Sequence, residues 1–377
     1  MATEPARALK ILHVLRAPVG GLFRHVIDLA GAQAARGHAV GLIADATTGG
    51  NRAEAALAAL APRLLLGVTR VPMSRHIDHR DIAAVAAVAR RVGEVDADVL
   101  HGHGAKGGAY ARLARAPRAI RVYTPHGGSL HYRWLSPVGF LYLAAERALM
   151  RRTDLMLFES AYGRDTFRAK IGNPPLARVV HNGLAAGEFA AIGAKPDATD
   201  LVFIGELRVL KGVDVLLDAI ALVAREGRAV TATIIGDGPD AAAFRAKADA
   251  LELGGAVRFV GALPAQTGFG LGRLLVVPSR AESLPYIVLE AAAASVPMIA
   301  TDVGGMKEIF GPETGSLVPP GDAAALARAL AAAMAQPVAA QAAALRLRER
   351  VAEHFSADAM TEAVLAAYGE VLAARHC

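Results

Sequence analysis

The sequence predicts an α/β protein made of two doubly wound halves, and three observations carry that prediction. Short continuous apolar runs recur along the chain, joined by stretches of ten or more residues with alanine-rich, helical patterning. Runs of this kind are parallel strands covered by helices on both faces. The periodicity lapses once near the middle and then starts afresh. Finally, 377 residues is about two and a half times the ~150 residues that serve as a prior for one domain. A closed (β/α)8 barrel shares the alternation but runs as one domain without a central seam.

In chain order, the strand-like runs of the first half are Ile11–Leu15, Ala39–Ile43, Val99–Gly102, Arg121–Thr124 and Leu155–Glu159. The second half repeats the pattern at Leu201–Gly205, Ala232–Gly236, Val257–Gly261, Leu274–Pro278 and Met298–Thr301. Between them the polar, non-periodic stretch from Ala190 through Lys195-Pro196 to Asp200 reads as a linker. It places the domain boundary at 195/196, with a second half over 196–356 and a terminal helix over about 357–377.

Composition narrows the class. The chain is 54% hydrophobic and 20% charged, which excludes a disordered chain. Its one cysteine, Cys377, excludes an intrachain disulfide scaffold and favours a reducing compartment. The formal charge is +6, from seven lysines and 34 arginines against 35 carboxylates. Such a balance tolerates nucleic acid, anionic lipid or phosphorylated small molecules without choosing among them. No run reaches the ~18 apolar residues of a membrane span. Glu4 and Pro5 stand where a signal peptide would need an apolar core. The expected location is cytoplasmic.

Several motifs carry chemistry. Gly20-Gly21 follows the first strand and opens a helix expected over Val26–Arg36. Paired glycines let backbone approach a ligand, and helix N–H groups suit an anion; on the pair alone a plain tight turn is slightly favoured. Gly236-Asp-Gly238-Pro-Asp-Ala241 mimics a dinucleotide fingerprint. It follows the second strand of its half, however, and lacks the acidic residue about 20 positions on. His101-Gly-His103 could ligate zinc, but a metal site needs at least a third ligand and usually a carboxylate. None is evident near by, so no metal is expected. Instead the His101–His103 and His126-Gly-Gly128 loops are expected at the carboxyl edge of the first sheet, where α/β proteins bind ligands.

In the second half, Gly205-Glu-Leu-Arg208-Val-Leu-Lys211-Gly212 separates the first strand from the helix Val213–Ala224. Arg208 and Lys211 there could meet a diphosphate at the helix N-terminus, or be two solvated loop cations. Glu282 and Glu290 bracket Ser283-Leu-Pro285, which starts a helix. They could hold hydroxyls at two ends of one sugar-containing ligand. Spacing alone does not choose between that and a pair of ordinary helix carboxylates.

Taken together, these segments resemble the retaining family 4 glycosyltransferases of GT-B fold. The strings that carry the resemblance are Gly20-Gly21, Thr124-Pro-His126-Gly, His181-Asn-Gly183, Gly205-x-Leu-x-x-x-Lys211-Gly212 and Ile235-Gly-Asp-Gly-Pro239. They continue through Val257-Arg-Phe-Val-Gly261, Pro278-Ser-Arg-Ala-Glu282-Ser-Leu-Pro, Leu289-Glu290, Val296 to Gly305 with Glu308, and Gly315 to Asp322. Each is weak alone; their order along nearly the whole chain is specific.

The resemblance implies two Rossmann-like doubly wound domains facing across a cleft. Residues 1–195 would bind the acceptor, residues 196–356 the nucleotide-sugar, and the last helix would cross back onto the first domain. It implies a retaining transfer from a UDP- or GDP-linked sugar to a saccharide or lipid-linked acceptor, in cell-surface polysaccharide or lipopolysaccharide assembly. No cofactor, metal or nucleic acid is implied. By motif position, Glu290 would hold the ribose, Glu282 the donor sugar, and Lys211 with Gly205 the diphosphate. Gly20-Gly21 would approach that diphosphate from the other domain, and His126 would line the sugar pocket. Ser283, Leu284, Tyr286 and Ile287 would complete the donor site, the backbone donors coming from residues other than Pro285, which has no N–H. The sequence departs from the pattern at Glu206, where many members have arginine, and Arg208 is the expected substitute. A nucleotide-sugar 2-epimerase or a non-catalytic nucleotide-sugar-binding protein would share the scaffold.

Acceptor candidates are Arg75, His103 and His131, in or beside loops with no readable code. The segment 131–152 holds the only tryptophan, several aromatics and four arginines. Its aromatic side is expected to pack inward with its arginines solvated; the alternative is contact with an anionic membrane surface.

Overall fold

The computed structural model describes residues 7–376. The chain divides into two compact units, one of residues 1–182 with 357–377 and the other of residues 183–356.

The first unit is built on seven parallel strands: β1 (Lys10–Leu15), β2 (Ala39–Asp45), β3 (Val68–Val71), β4 (Val99–His103), β5 (Ile120–Thr124), β6 (Leu155–Phe158) and β7 (Ala177–Val179). They lie in the order β3-β2-β1-β4-β5-β6-β7. The chain therefore winds outward from β1 in one direction and from β4 in the other. The central strands are buried along nearly their whole length, which is why their sequences are mostly apolar, histidines being the exceptions. Helix Ala357–His376 belongs to this unit and packs Met360, Val364, Ala367 and Tyr368 into the core beneath helix Gly20–Ala35. Arg36 and Asp358 (2.7 Å) and Arg375 and Asp154 (2.7 Å) pin its two ends.

The second unit repeats the plan with β8 (Thr199–Ile204), β9 (Ala232–Ile235), β10 (Val257–Phe259), β11 (Gly272–Val277), β12 (Met298–Thr301) and β13 (Leu317–Val318), all parallel, in the order β10-β9-β8-β11-β12-β13. The expected boundary at 195/196 lies inside this unit. Residues 183–198 pack on it through Leu184 N–H to Phe355 O, Ile192 N–H to Ala294 O and Lys195 N–H to Gly270 O. A stretch without periodicity can still be tied down by its backbone.

Three further differences from the sequence have physical causes. β3, β7 and β13 escape the pattern because they are short edge strands, half-exposed along most of their length. Helix Gly20–Ala35 begins six residues before the expected start, since the glycines are themselves its first turn. The aromatic side of 131–152 does not all pack inward. Helix Pro137–Met150 buries Gly139, Leu143 and Glu146 but leaves Val138, Phe140 and Leu141 more than half exposed. Trp134 is half-buried and donates its indole N–H to Lys170 O at 2.8 Å.

Candidate active site

In the second unit the site grows from the mouths of β8 and β11. Beyond β8 the chain makes a 3-10 turn, Val209–Lys211, and enters helix Val213–Arg225 through Gly212. Gly212 is left-handed (φ +72°), and a Cβ there would lie 1.9 Å from Pro278 O. The loop thus presses backbone to backbone against the segment that follows β11, and only glycine fits. The contact delivers Lys211 to Glu282, Nζ to Oε1 at 2.6 Å. The same oxygen accepts from Ser279 Oγ at 2.7 Å, and Ser279 O accepts from Thr301 Oγ1 at 2.5 Å. Arg280 clamps the loop: its guanidinium meets both carboxylate oxygens of Asp214 (2.7 and 2.6 Å) and donates to Val209 O. Burial alone raises the Asp214 carboxyl, and the Arg280 guanidinium more than reverses this, holding it below its usual value.

Arg208 lies at the start of the turn, 3.5 Å from Glu206, both side chains about half exposed. The charge expected to compensate for Glu206 is therefore paired with Glu206 itself. Pro285 caps helix Tyr286–Ala293, Leu284 and Tyr286 are buried in the core, and Ser283, Ile287 and Glu290 are half-buried. Gly205 follows β8 and accepts a tight approach: a Cβ on the left-handed Gly236 (φ +145°) would fall 1.8 Å from Gly205 O. Asp240 then accepts the Val209 N–H at 2.8 Å. The string that mimics a dinucleotide fingerprint is thus a brace for the Lys211 loop.

In the first unit the carboxyl edge of the sheet gathers imidazoles. His13 on β1, His101 and His103 on β4, and His25 on the helix after Gly20-Gly21 are all buried. Gly20 and Gly21 are exposed, and Val19 at the cap offers the helix no side-chain acceptor. His126 follows β5 in a left-handed conformation (φ +51°), sparsely populated for a residue with a side chain, and its ring is 4% exposed. That ring is engaged on both sides: Nδ1 lies 2.6 Å from Glu159 Oε1 and Nε2 3.1 Å from His103 Nδ1. From there His103 Nε2 meets His13 Nδ1 (2.9 Å), and His13 Nε2 meets Gln33 Oε1 (2.8 Å). His25 Nδ1 reaches Asn182 Oδ1 at 3.0 Å, which gives the His181-Asn-Gly183 string a structural task. His101 bonds Tyr368 and Thr124, at 2.6 and 2.8 Å.

Burial, opposed by the Gln33 contact, lowers His13 to about 4. Burial, then the charge of His126, lowers His25 to about 3. His101 and His103 are lowered well below the ordinary value, first by burial and then by neighbouring imidazoles.

These positions correct parts of the sequence reading. His103 is no acceptor contact, because it is fully buried with both nitrogens engaged. His126 can present its backbone to a ligand, while its ring nitrogens point into the protein. Arg75 is exposed on the loop after β3, and the His131 side chain lies outside the described residues. A third and fourth histidine do stand beside His101 and His103, supplied by β1 and by the first helix rather than by neighbouring sequence. His13, His25 and Glu159 went unnoticed, although a histidine inside an otherwise apolar strand is a visible signal. Ser279, Arg280 and Asp214 were missed because their work is to hold other residues.

A profile described as Glycosyltransferase Family 4 matches residues 19–186, and one described as Glycosyl transferases group 1 matches residues 198–336. Glycogen synthase of Mycobacterium tuberculosis is 28% identical over 380 residues, covering 93% of this chain and 91% of the relative. The putative teichuronic acid biosynthesis glycosyltransferase TuaC of Bacillus subtilis is 30% identical, covering 67% of this chain and 65% of the relative. Among solved structures, sucrose-phosphate synthase from Thermosynechococcus elongatus superposes with a TM-score of 0.82 at 22% identity, covering 98% of this chain and all of that one (100%). Anabaena HepE in complex with UDP-glucose superposes with a TM-score of 0.78 at 19% identity, covering 97% of this chain and 100% of that one. The two profiles fall on the two units in order along the chain, and the chain belongs to the group 1, family 4 glycosyltransferases.

Proposed function

We propose that this glycosyltransferase moves a sugar, with retained anomeric configuration, from a UDP- or GDP-linked donor to a saccharide or lipid-linked acceptor in cell-surface polysaccharide or lipopolysaccharide assembly. The observation that carries the donor side is the Lys211–Glu282 pair, 2.6 Å apart at the mouth of β8 and β11 and braced by Ser279 and Arg280. When a diphosphate enters, Lys211 exchanges its carboxylate for phosphate oxygens, and Glu282 turns to the sugar hydroxyls. As the glycosyl–phosphate bond breaks, negative charge grows on the leaving group beside a cation already in place and positive charge grows on the sugar ring. Preorganised charge of that kind lowers the barrier without reorganisation at the moment of reaction. The acceptor oxygen attacks from the face the phosphate leaves, and its proton passes to that phosphate. Glu290, one turn into helix Tyr286–Ala293, takes the ribose. The UDP-glucose complex of HepE and the similarity to the putative teichuronic acid biosynthesis glycosyltransferase TuaC support a UDP-sugar and a polymer acceptor.

The surface of helix Pro137–Met150 supports work on the inner face of a membrane. Exposed Val138, Phe140 and Leu141 are followed by exposed Arg147, Arg151 and Arg152, a pairing of apolar area with positive charge that suits an anionic bilayer. Co-sedimentation with acidic vesicles at low salt tests this, and absence of binding removes the membrane from the proposal. For the donor, a thermal-shift panel of UDP-, GDP- and ADP-sugars is the direct test. A ligand at 100 times its Kd adds about 2.7 kcal/mol to native stability. A UDP- or GDP-sugar is expected to raise Tm; a panel without any shift would overturn the donor assignment.

A further inference from the structure

Helix Gly104–Leu113 lies between helices Arg80–Val95 and Pro137–Met150 on one face of the first sheet. The flanking helices rest on the sheet through side chains, Val88 and Val92 from one and Leu143 from the other. The middle helix rests on it through glycine. A Cβ on Gly107 would lie 2.5 Å from Val14 O, and one on Gly108 would lie 2.2 Å from Tyr123 Cε2. A helix that packs by its backbone sits deeper than neighbours that pack by side chains. Its outer face is small as well, with Ala105 and Ala109 before Leu113. The outcome is a groove of about 460 Å³ with that face as its floor.

The groove is lined by hydrocarbon. Ile82 and Val85 form one wall, Ala145 and Leu149 the other. The polar side chains among them are committed to one another. Lys106 Nζ meets both Asp81 oxygens (2.6 and 2.7 Å), Tyr110 donates to Asp81 (2.5 Å), and Arg112 faces Glu146 (2.8 Å). Floor and walls are left to apolar contact, which suits an alkyl chain rather than a saccharide or a peptide backbone.

The mouth of the groove is charged. Ala105 begins the floor beside the His126 loop, where a Cβ on Gly128 would lie 3.5 Å from Ala105 N. Arg16, directly after β1, is half-buried and has no ion-pair partner among the described residues. Burial raises the Tyr110 and Tyr142 phenols, and the Arg16 guanidinium opposes it in both; the cation is thus within reach of the floor helix and of one wall. On the outer side, Val138 and Leu141 continue the stripe of Tyr142, Ala145 and Leu149 at helical spacing. The groove therefore adjoins the exposed apolar surface that suits a bilayer.

We propose, on the reading of the acceptor as lipid-linked, that this groove takes the hydrocarbon chain of a phosphate-bearing lipid acceptor. Its phosphate meets Arg16 and its reacting end lies towards the His126 loop. From Ala105 to Leu113 the floor runs about 12 Å, so it holds the first part of a chain and leaves the remainder to the bilayer.

Full-length protein is titrated calorimetrically with dodecyl phosphate below its micelle concentration, with dodecanol, and with inorganic phosphate. One dodecyl phosphate per chain is expected. Dodecanol should bind about tenfold more weakly, the worth of one charge-assisted hydrogen bond, and inorganic phosphate should give no measurable heat. Ala109→Phe fills the floor and is expected to abolish binding. Ile82→Glu, at a position 76% exposed and so tolerant of charge, is expected to weaken it at least about tenfold. Arg16→Gln should bring dodecyl phosphate down to dodecanol, whereas Phe140→Ser, exposed and outside the lining, should leave it unchanged. Wild-type protein that pellets with acidic vesicles yet binds no dodecyl phosphate would overturn the groove and spare the membrane reading. A flat donor panel with dodecyl phosphate bound would overturn the donor and spare the groove. Equal binding by wild type and Ile82→Glu, equal affinity of wild type for dodecanol, or a wild-type dimer that Ile82→Glu dissociates would each overturn the proposal.

Discussion

The ligand-side edges of the two sheets are built from opposite materials. In the first unit the polar groups at strand ends are buried imidazoles in contact from ring to ring, with Glu159 at the margin. In the second they are formal charges in pairs, Lys211 with Glu282 and Arg280 with Asp214. The fold plan is the same, so the contrast reflects what each edge must do. Charges held ready by other charges can be exchanged for a charged ligand. A buried array of rings has no such exchange to make; it fixes the position of loops, and its stability depends on staying unprotonated.

Mild acid separates the edges most sharply. His13 and His25 are held near 4 and near 3 in the folded protein, by burial above all, against about 6.5 when unfolded. The unfolded chain therefore binds more protons below pH 6.5, so their stabilisation is complete above that pH and is lost as pH falls. At pH 5 each ring has cost about 2 kcal/mol, at 1.36 kcal/mol per unit. Asp214 has the opposite sign. Its carboxyl is held below its usual value, so its contribution persists to pH below about 4. Hydrogen exchange at pH 5 is expected to show protection falling in β1, β4 and β5 while β8, β11 and β12 stay protected. Equal loss in both units would break the comparison.

Removing charge from the second edge should act on rate rather than fold. Lys211→Ala is expected to lower kcat by about 10²–10³-fold, about 3–4 kcal/mol, the usual effect of deleting a preorganised transition-state contact. Lys211 is only partly buried, so Tm should move little. A variant with normal kcat and raised KM would make Lys211 a binding residue alone.

The first unit does contain a buried arginine–carboxylate pair, and it tests whether charge there is structural. Arg112 Nη1 and Glu146 Oε2 meet at 2.8 Å with both side chains buried, as an ion pair without hydrogen-bond alignment. Glu146 also accepts from Tyr123 (2.7 Å) and Ser129 (3.0 Å), and Arg112 lies over the Tyr123 ring. Glu146→Ala strands the guanidinium and is expected to cost about 3 kcal/mol in urea unfolding, the lower end for breaking such a pair. Because Ser129 lies just beyond the His126 loop, activity should fall less than stability.

How much of this was legible in the sequence follows from what each residue touches. Strands buried on both faces announce themselves as apolar runs, so β1, β4, β5, β8, β9, β11 and β12 could be read directly. β3, β7 and β13 could not, because an edge strand needs only a few apolar contacts. Lys211 and Glu282 were readable through motif order, as both lie in strings that follow strands. Their contact was not, since 71 residues separate them and Gly212 against Pro278 closes the distance. The histidine array was hidden for the same reason: His13, His103 and His126 come from three strands or their ends, and only the order β1-β4-β5 makes them neighbours.

The smallest expected effect concerns the one departure from the family pattern. Arg208 sits 3.5 Å from Glu206, and the two are about half exposed; a pair so placed contributes little to stability, about 0–1 kcal/mol. Stability is therefore a poor readout, and donor kinetics a good one. If Arg208 leaves Glu206 for the diphosphate, Arg208→Ala should raise donor KM about tenfold, or about 1.4 kcal/mol, with unchanged Tm. Glu206→Gln frees the guanidinium and should lower donor KM. The two variants pull in opposite directions only if the pair opens for the ligand. An unchanged donor profile in both would leave Lys211 as the cation of this edge that meets the diphosphate, and would mark Glu206–Arg208 as a surface pair with no part in transfer.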